Sequence, residues 1–261
     1  YVREIYKYIG PETDVPAPDV NTNPKIMALM MDEYSKLVWK YSPGSFTGKP
    51  LTSGGSKWRN AATAQGGVYV LEKILELTWE KINWKTVCIQ WAGNAGLTAA
   101  KILITHGAKI VGISDSKGGI YNEKWLNIEE ISEIKSKRGS VIEYSDGEKL
   151  EEKEVLEIAC DILIPAALEN QITTKNVKDI KAKLILELAN GPITPEADKV
   201  LEEMKIDVIP DILANAGGVM VSYFEQVQNN INFYWEEDEV DAKLHKKITH
   251  AACDVYNTAK E

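Results

Sequence analysis

The chain has 261 residues, of which 26% are charged and 44% hydrophobic, and its formal net charge is −9. That length is enough to bury one large core or two small ones. The acidic balance disfavours a nucleic-acid surface and favours small-molecule chemistry, and no apolar run approaches the roughly 20 residues of a membrane helix. The charged amino-terminal residues do not resemble a signal peptide.

Cysteine and histidine give little indication of chemistry. Cys88 and Cys160 lie in apolar, strand-like runs, which predicts buried thiols and favours a cytoplasmic location. His245 and His250 are five residues apart, so they do not share a helix face well enough to form a metal pair. We therefore predict no metal site.

The first part of the chain predicts two helices. Apolar residues at helical spacing, with an early proline, predict a helix in residues 23–38, and residues 59–78 predict a second. Between them, residues 41–56 are rich in turn formers and predict a boundary between structural units.

From residue 86 onwards, strand-like and helical segments alternate. The predicted strands are residues 86–90, 109–115, 160–167, 183–189 and 206–213. Short, nearly continuous apolar strands alternating with helices predict an α/β fold, a Rossmann-like doubly wound and mostly parallel sheet with helices on both faces. Such sheets bind ligands beyond the carboxyl ends of their strands. The polar or turn residues at those ends are Gly93 and Asn94, Asp115 and Ser116, Pro165 to Ala167, Asn190 and Asn215.

The stretch "IQWAGNAG" after the first of these strands is similar to a dinucleotide-binding turn. Such a turn takes glycine at positions equivalent to 91, 93 and 96, where this chain has Trp91, Gly93 and Gly96. Asp115 ends the next strand, 22 residues after Gly93, where an acceptor for a ribose hydroxyl is expected. The alternative interpretation of this stretch is an ordinary strand–helix turn. Asp19, in the proline-rich segment near the amino terminus, similarly has the alternative role of a turn or N-cap residue.

Six motifs together resemble the glutamate dehydrogenase branch of the Glu/Leu/Phe/Val dehydrogenase superfamily. They are "VPAPDVNTNP", "TGKPLTSGGS", "SDSKGGIYN", "DILIPAALEN", "ANGPITPEAD" and "PDILANAGGVMVSYFEQVQN". The resemblance runs from Tyr1 to Glu261 in one register and is typical of a fragment. It implies that residues 1–45 are the end of the substrate domain and a connecting helix. Residues 46–222 would be the dinucleotide-binding domain, and 223–261 the start of the returning helical segment.

The resemblance implies oxidative deamination of L-glutamate to 2-oxoglutarate and ammonia, with NAD or NADP as hydride acceptor. It also implies a homo-oligomer, usually a hexamer, in the full-length protein. The lysine-bearing, glycine-rich segment of the family's amino-terminal domain does not occur in this sequence. We therefore expect this chain alone not to turn over glutamate.

The family pattern also implies roles for individual residues. Asp19 matches the proton-transfer carboxylate, a role that requires a buried acid with a tuned pKa. The remaining matches are Arg59 and Thr63 on the cofactor side, Gly93, Asn94 and Ala95 in the pyrophosphate turn, Asp115 at the adenosine ribose, Asn190 and Asn215 around the nicotinamide and its ribose, and Val219 and Ser222 in the glutamate side-chain pocket. Ser116 and Lys117 are able to accept a 2′-phosphate, which leaves the choice between NAD and NADP open.

Six of the seven tryptophans stand where the family pattern has glycine. They are Trp39, Trp58, Trp79, Trp84, Trp91 and Trp125, whereas Trp235 matches a family tryptophan. One hypothesis is that UGA codons meant for glycine have been translated as tryptophan. If the tryptophans are genuine, the alternative is a non-catalytic, dehydrogenase-like subunit with a filled cofactor cleft. A leucine- or phenylalanine-type dehydrogenase is a further alternative.

Overall fold

The structure, a computed structural model, describes residues 1–19, 21–59 and 61–261. The chain divides into two compact units, which we call the first unit (Tyr1–Ala62 and Gly218–Lys246) and the second unit (Thr63–Gly217 and Lys247–Glu261). These limits do not coincide with the segment ends at residues 45 and 222 that the resemblance implies.

The α-helices and strands of the described ranges are as follows. The helices are α1 Val2–Ile5, α2 Pro24–Leu37, α3 Ala62–Leu77, α4 Asn94–Thr105, α5 Ile128–Arg138, α6 Pro195–Glu203, α7 Asp211–Ala214, α8 Gly217–Ile231 and α9 Glu237–Lys260. The strands are β1 Thr86–Gln90, β2 Lys109–Asp115, β3 Gly118–Tyr121, β4 Glu148–Leu150, β5 Ile162–Pro165, β6 Leu184–Leu186 and β7 Asp207–Ile209. No helix in these ranges is long and apolar enough to span a membrane.

The second unit contains a seven-stranded sheet in the order β4-β3-β2-β1-β5-β6-β7. Strands β1, β2, β5, β6 and β7 pair in parallel, and they lie within the five segments predicted from the sequence. The predicted mostly parallel α/β fold is therefore confirmed. Val87, Cys88 and Ile89 are fully buried, as expected for a strand covered on both faces.

Two antiparallel strands at one edge of this sheet are missing from the prediction. Strand β3 returns beside β2 through a tight turn at Ser116 and Lys117, and β4 pairs with β3. The first begins with two glycines and the second is a three-residue, largely polar segment. Neither therefore shows the apolar run or the alternation by which strands are recognised in a sequence.

The first unit has its own small core around α2. Met27, Met31 and Tyr34 of that helix pack with Val2 and Phe46. The helix begins where the sequence predicts, because the side chain of Asn23 accepts a hydrogen bond from the N–H of Ile26 and Pro24 suits the first helical position.

A fully buried ion pair lies in the first unit. Lys49 Nζ is 2.7 Å from Glu225 Oε1, and both side chains are 0% exposed. The ammonium also donates to the carbonyl of Phe46 at 2.6 Å, and the other carboxylate oxygen accepts the N–H of Gly48 at 3.0 Å. Burial lowers the pKa of Lys49 in spite of the adjacent Glu225. These contacts hold the turn-rich segment within the first unit, so the boundary between the units falls after Ala62 instead.

The six tryptophans that the resemblance matches to glycine all have left-handed backbone. Their φ angles are 56° at Trp39, 70° at Trp58, 61° at Trp79, 68° at Trp84, 83° at Trp91 and 110° at Trp125. Trp235 is not among the residues with positive φ. Because side chains with a Cβ rarely adopt this conformation, the backbone at all six positions suits glycine. The indole N–H of Trp58 is in addition buried with no acceptor within the described residues.

Candidate functional site

The turn between β1 and α4 has the backbone of an anion-binding site. Gly93 precedes α4 and offers no side chain to cap it, and the first turn of the helix carries no acidic residue. A Cβ atom on Gly96 would collide with the carbonyl oxygen of Trp91, so only glycine permits this close packing of helix against strand end. The amino terminus of α4 is thus suited to a phosphate.

Trp91 changes the surface of this turn. A Cβ atom on Gly93 would lie 2.8 Å from Cδ1 and 2.9 Å from Nε1 of the Trp91 indole. The ring therefore covers the glycine whose bare backbone a phosphate needs to approach. The backbone of the turn is tied to the end of β2, because Trp91 N donates to Ser114 Oγ at 3.2 Å and Ala92 N to Ser114 O at 2.6 Å.

Two lysines lie beside the turn that the sequence did not single out. They belong to a cavity of about 400 Å³ lined by Ala92, Gly93, Asn94, Leu97, Thr98, Lys101, Ser132 and Lys135. Lys101 lies seven residues after Asn94 on α4, a spacing that returns to the same helix face. Lys135 comes from α5, and no spacing signal connects α5 with the turn. Lys101 lies 3.7 Å from Glu129 and Lys135 lies 2.8 Å from Asp115. Both lysines therefore bring ammonium donors, each already paired with a carboxylate, to the place where a pyrophosphate is expected.

Asp115 is held by internal contacts. Its Oδ1 accepts from Lys117 N at 3.0 Å and Ser140 Oγ at 2.9 Å, and its Oδ2 from Lys135 Nζ and Val141 N, each at 2.8 Å. Burial opposes ionisation of this carboxyl, but the four hydrogen bonds outweigh it, so the pKa of Asp115 is lowered. A ribose hydroxyl would have to share or replace one of these donors. Its assignment to the ribose stays a prediction, as does that of the neighbouring exposed Ser116.

The structure brings together the two asparagines expected near the nicotinamide. Asn190 follows β6 and Asn215 follows α7, and Asn215 Nδ2 donates to Asn190 Oδ1 at 2.6 Å. Glu187, immediately after β6 and three residues before Asn190, is buried, and burial raises its pKa to about 7. Sequence reasoning did not single out Glu187, because an acidic residue after a short strand is ordinarily solvated.

In the first unit, a hydrogen bond connects Arg59, which is predicted on the cofactor side, with Ser222, which is predicted in the glutamate side-chain pocket. Arg59 Nε donates to Ser222 Oγ at 3.1 Å, and Ser222 is buried on α8. Burial lowers the pKa of Arg59, while the carboxylate of Glu225 opposes this effect. Val219, three residues before Ser222, is 67% exposed.

Asp19 and Thr63 are the remaining predicted residues. Asp19 is exposed in a turn where its N–H donates to Thr22 Oγ1 at 2.7 Å. The burial that its proton-transfer role requires is not present in this chain. Thr63 is half-buried in the second unit, in the first turn of α3. Their roles stay predictions.

Comparison with known proteins identifies the family. Residues 54–261 match the Glutamate/Leucine/Phenylalanine/Valine dehydrogenase family, and residues 1–36 match its dimerisation domain. The chain is 48% identical over 260 residues to the NAD-specific glutamate dehydrogenase of Staphylococcus aureus (strain COL), an alignment covering 100% of this chain and 63% of that relative. The chain thus spans less than two thirds of the curated relatives it matches.

Solved structures agree with this match. The hetero-hexameric glutamate dehydrogenase from Thermus thermophilus, in its Leu-bound form, is 30% identical with a TM-score of 0.93, covering 100% of this chain and 62% of that chain. The glutamate dehydrogenase from Peptoniphilus asaccharolyticus is 38% identical with a TM-score of 0.85, at the same coverage. The resemblance seen in the sequence motifs is confirmed: the chain belongs to the Glu/Leu/Phe/Val dehydrogenase family.

Proposed function

We propose that the chain is the cofactor-binding part of an NAD-dependent glutamate dehydrogenase, which converts L-glutamate to 2-oxoglutarate and ammonia. The observation that carries the proposal is the β1–α4 turn, with its uncapped helix terminus, its glycine-only contact at Gly96 and the adjoining Lys101 and Lys135. The names of the curated relatives support glutamate over leucine or phenylalanine as the substrate.

In this proposal, different residues of the chain bind the cofactor, bind the substrate and transfer the proton. A bound nicotinamide supplies the acceptor for the hydride of the glutamate α-carbon. The amino terminus of α4 and the two lysines balance the charge of the pyrophosphate. Asn190 and Asn215 orient the nicotinamide side, and Arg59 and Thr63 lie on the cofactor side. Ser222 and Val219 contribute to the glutamate side-chain pocket, and Asp19 transfers the proton. Asn94 and Ala95 belong to the pyrophosphate turn, a role that the family resemblance implies.

We propose NAD in preference to NADP. Asp115 carries a negative charge at the end of β2, and a carboxylate there disfavours a 2′-phosphate. The NAD-specific relatives support the same choice. We also propose a cytoplasmic location, which is supported by the free thiols of Cys88, Cys160 and Cys253. A hexameric assembly is proposed as well, and the hetero-hexameric relative supports it.

Titration with NADH tests the proposal. Replacing Trp91 with glycine is expected to tighten NADH binding by about 10-fold or more, equivalent to about 1.4 kcal/mol, because the indole no longer covers Gly93. The matched control is Trp79→Gly, which makes the same exchange at an exposed, left-handed position and should leave the affinity unchanged. Equal affinities for the chain and its Trp91→Gly variant would show that the indole does not obstruct the turn.

One observation favours a second candidate function. The Trp91 indole covers the turn, as expected for a non-catalytic, dehydrogenase-like subunit with a filled cleft. In that case the Trp91→Gly variant would fold, by circular dichroism, and still not bind NADH. Such a result would contradict the enzymatic proposal and leave the binding subunit in its place.

A further inference from the structure

Two loops of the second unit, residues 187–194 after β6 and residues 210–216 after β7, are joined by reciprocal hydrogen bonds. The N–H of Asp211 donates to Glu187 Oε2 at 2.9 Å. The carboxylate of Asp211 in turn accepts the N–H of Gly191 at 2.8 Å. Each loop therefore supplies both an acidic side chain and a backbone donor to the other.

These bonds bear directly on the two asparagines. Asp211 is the first residue of the one-turn helix α7, and Asn215 directly follows that helix, donating its N–H to the carbonyl of Asp211 at 3.0 Å. Asn190 stands next to Gly191 in the other loop. A contact that fixes Asp211 therefore also fixes the position from which the Asn215 side chain reaches Asn190.

Glu187 is placed to respond to its surroundings. It is 7% exposed and borders a cavity of about 680 Å³. Burial raises its pKa to about 7, the carboxylates of Asp211 and Asp198 raise it too, and the N–H groups of Asp211 and Ile193 partly oppose the shift. The titratable groups lining the same cavity are Asp198 on α6, Asp207 on β7, Asp211 on α7, and Tyr256 and Lys260 on α9.

We propose that Glu187 is a positioning residue for the nicotinamide side of the cofactor site. Its ionised carboxylate accepts the N–H groups of Asp211 and Ile193 and so holds Asn215 against Asn190. The inference rests on the proposed function, because it assigns the two asparagines to the cofactor. Protonation of the Glu187 carboxylate turns one of its oxygens into an O–H donor that faces backbone N–H donors. The side chain then accepts fewer hydrogen bonds, and the two loops are held less firmly.

The proposal predicts opposite pH dependences for cofactor binding and for stability. NADH affinity should fall by about 10-fold from pH 8 to pH 6, which corresponds to the lower end of the range for a hydrogen bond to a charged group. Stability should move the other way. Because the pKa of Glu187 is higher in the folded state than its ordinary value of 4.5, its contribution is fully present below that value and is lost as pH rises through about 7. A purely structural role would make affinity follow stability.

The experiment compares Glu187→Gln with Asp198→Asn, both in the Trp91→Gly background. At every pH, the Glu187→Gln variant should bind NADH as weakly as the Trp91→Gly parent does at acid pH. Amide hydrogen exchange in residues 210–216 should also be faster than in the parent. Asp198 is exposed and raises the pKa of Glu187. Its replacement should therefore move the midpoint of the binding profile to lower pH without changing the limiting affinity.

Two contrary outcomes are distinguishable. NADH binding with the same pH profile and the same loop exchange in the Glu187→Gln variant would overturn the positioning role and leave the proposed function standing. If the Trp91→Gly parent bound no NADH at any pH, the proposed function would be contradicted and this inference with it.

Discussion

Replacement of Trp39, Trp79, Trp84 and Trp125 with glycine is expected to raise the free energy of unfolding by about 3 kcal/mol in total. Left-handed backbone destabilises the folded state by about 1–2 kcal/mol for each residue with a Cβ. Glycine removes this strain, but it loses more conformational entropy on folding, which offsets about 0.5–1 kcal/mol of the gain at each position. All four side chains are exposed, at 95% and 96% for the first two, so little buried area is lost. Urea unfolding followed by circular dichroism measures the change.

The gain should be unequal among the four positions. Trp84 and Trp125 place their rings 4.5 and 4.6 Å from Lys109 Nζ, and an exposed cation–π contact contributes about 0.5–1 kcal/mol. Their replacement should therefore stabilise less than that of Trp39 or Trp79. The control is Trp235→Gly, which removes ring contacts with Phe224 and Lys243 and releases no left-handed backbone. It should lower stability, and the same sign at Trp39 and Trp79 would refute the strain argument.

The six left-handed tryptophans also sharpen the codon hypothesis. Chance substitution would not select the positions at which the backbone needs glycine, whereas a misassigned glycine codon would. Sequencing the gene decides the matter, because UGA at the six positions and UGG at Trp235 is the expected pattern. UGG at all seven would exclude recoding and leave six strained but genuine tryptophans.

Replacement of Glu225 with alanine is expected to cost about 3–5 kcal/mol of unfolding free energy. The ammonium of Lys49 would remain fully buried without its carboxylate, and the N–H groups of Gly48 and Lys49 would lose their acceptor. Chemical denaturation of the Glu225→Ala variant, at a pH where Lys49 is charged, measures the loss.

A double replacement provides the control for this ion pair. Lys49→Met together with Glu225→Leu removes both charges and keeps most of the volume, so it should cost much less than Glu225→Ala alone. Equal losses in the two proteins would mean that the backbone acceptor role of Glu225, and not the charge of Lys49, dominates the stability of this region.

Secondary structure was predicted best in segments where the pattern of apolar residues is the dominant signal. Strands β1 and β2 match their predicted bounds, because each is an apolar run between turn residues and both faces of the sheet are covered. The strands β5, β6 and β7 begin later and end earlier than predicted. The predicted segment around β7 also includes Pro210 and most of the helix α7, because an apolar run does not show where a strand gives way to a short helix. For the candidate site, motif and family register single out residues such as Gly93, Asn190 and Asn215, and their roles stay predictions.

The remaining features depend on contacts between distant segments. Lys135 of α5 and Ser140, in the turn after α5, donate hydrogen bonds to Asp115. The spacing of these residues in the sequence does not predict these contacts. Glu187 acquires its raised pKa from burial and from Asp211 and Asp198, which only the folded sheet brings near. Asp19 shows the converse: the motif identifies it, but its burial is not a property of the motif.

The two hydrogen bonds from Trp91 and Ala92 to Ser114 make the β1–α4 turn and the end of β2 a single mechanical element. Ser114 is followed directly by Asp115, the residue that we propose for the adenosine ribose, so whatever immobilises the turn immobilises Asp115 as well. Conformational entropy lost on binding one half of a dinucleotide is then not lost again for the other half. Small fragments that bind each half separately should therefore bind cooperatively, even without touching each other.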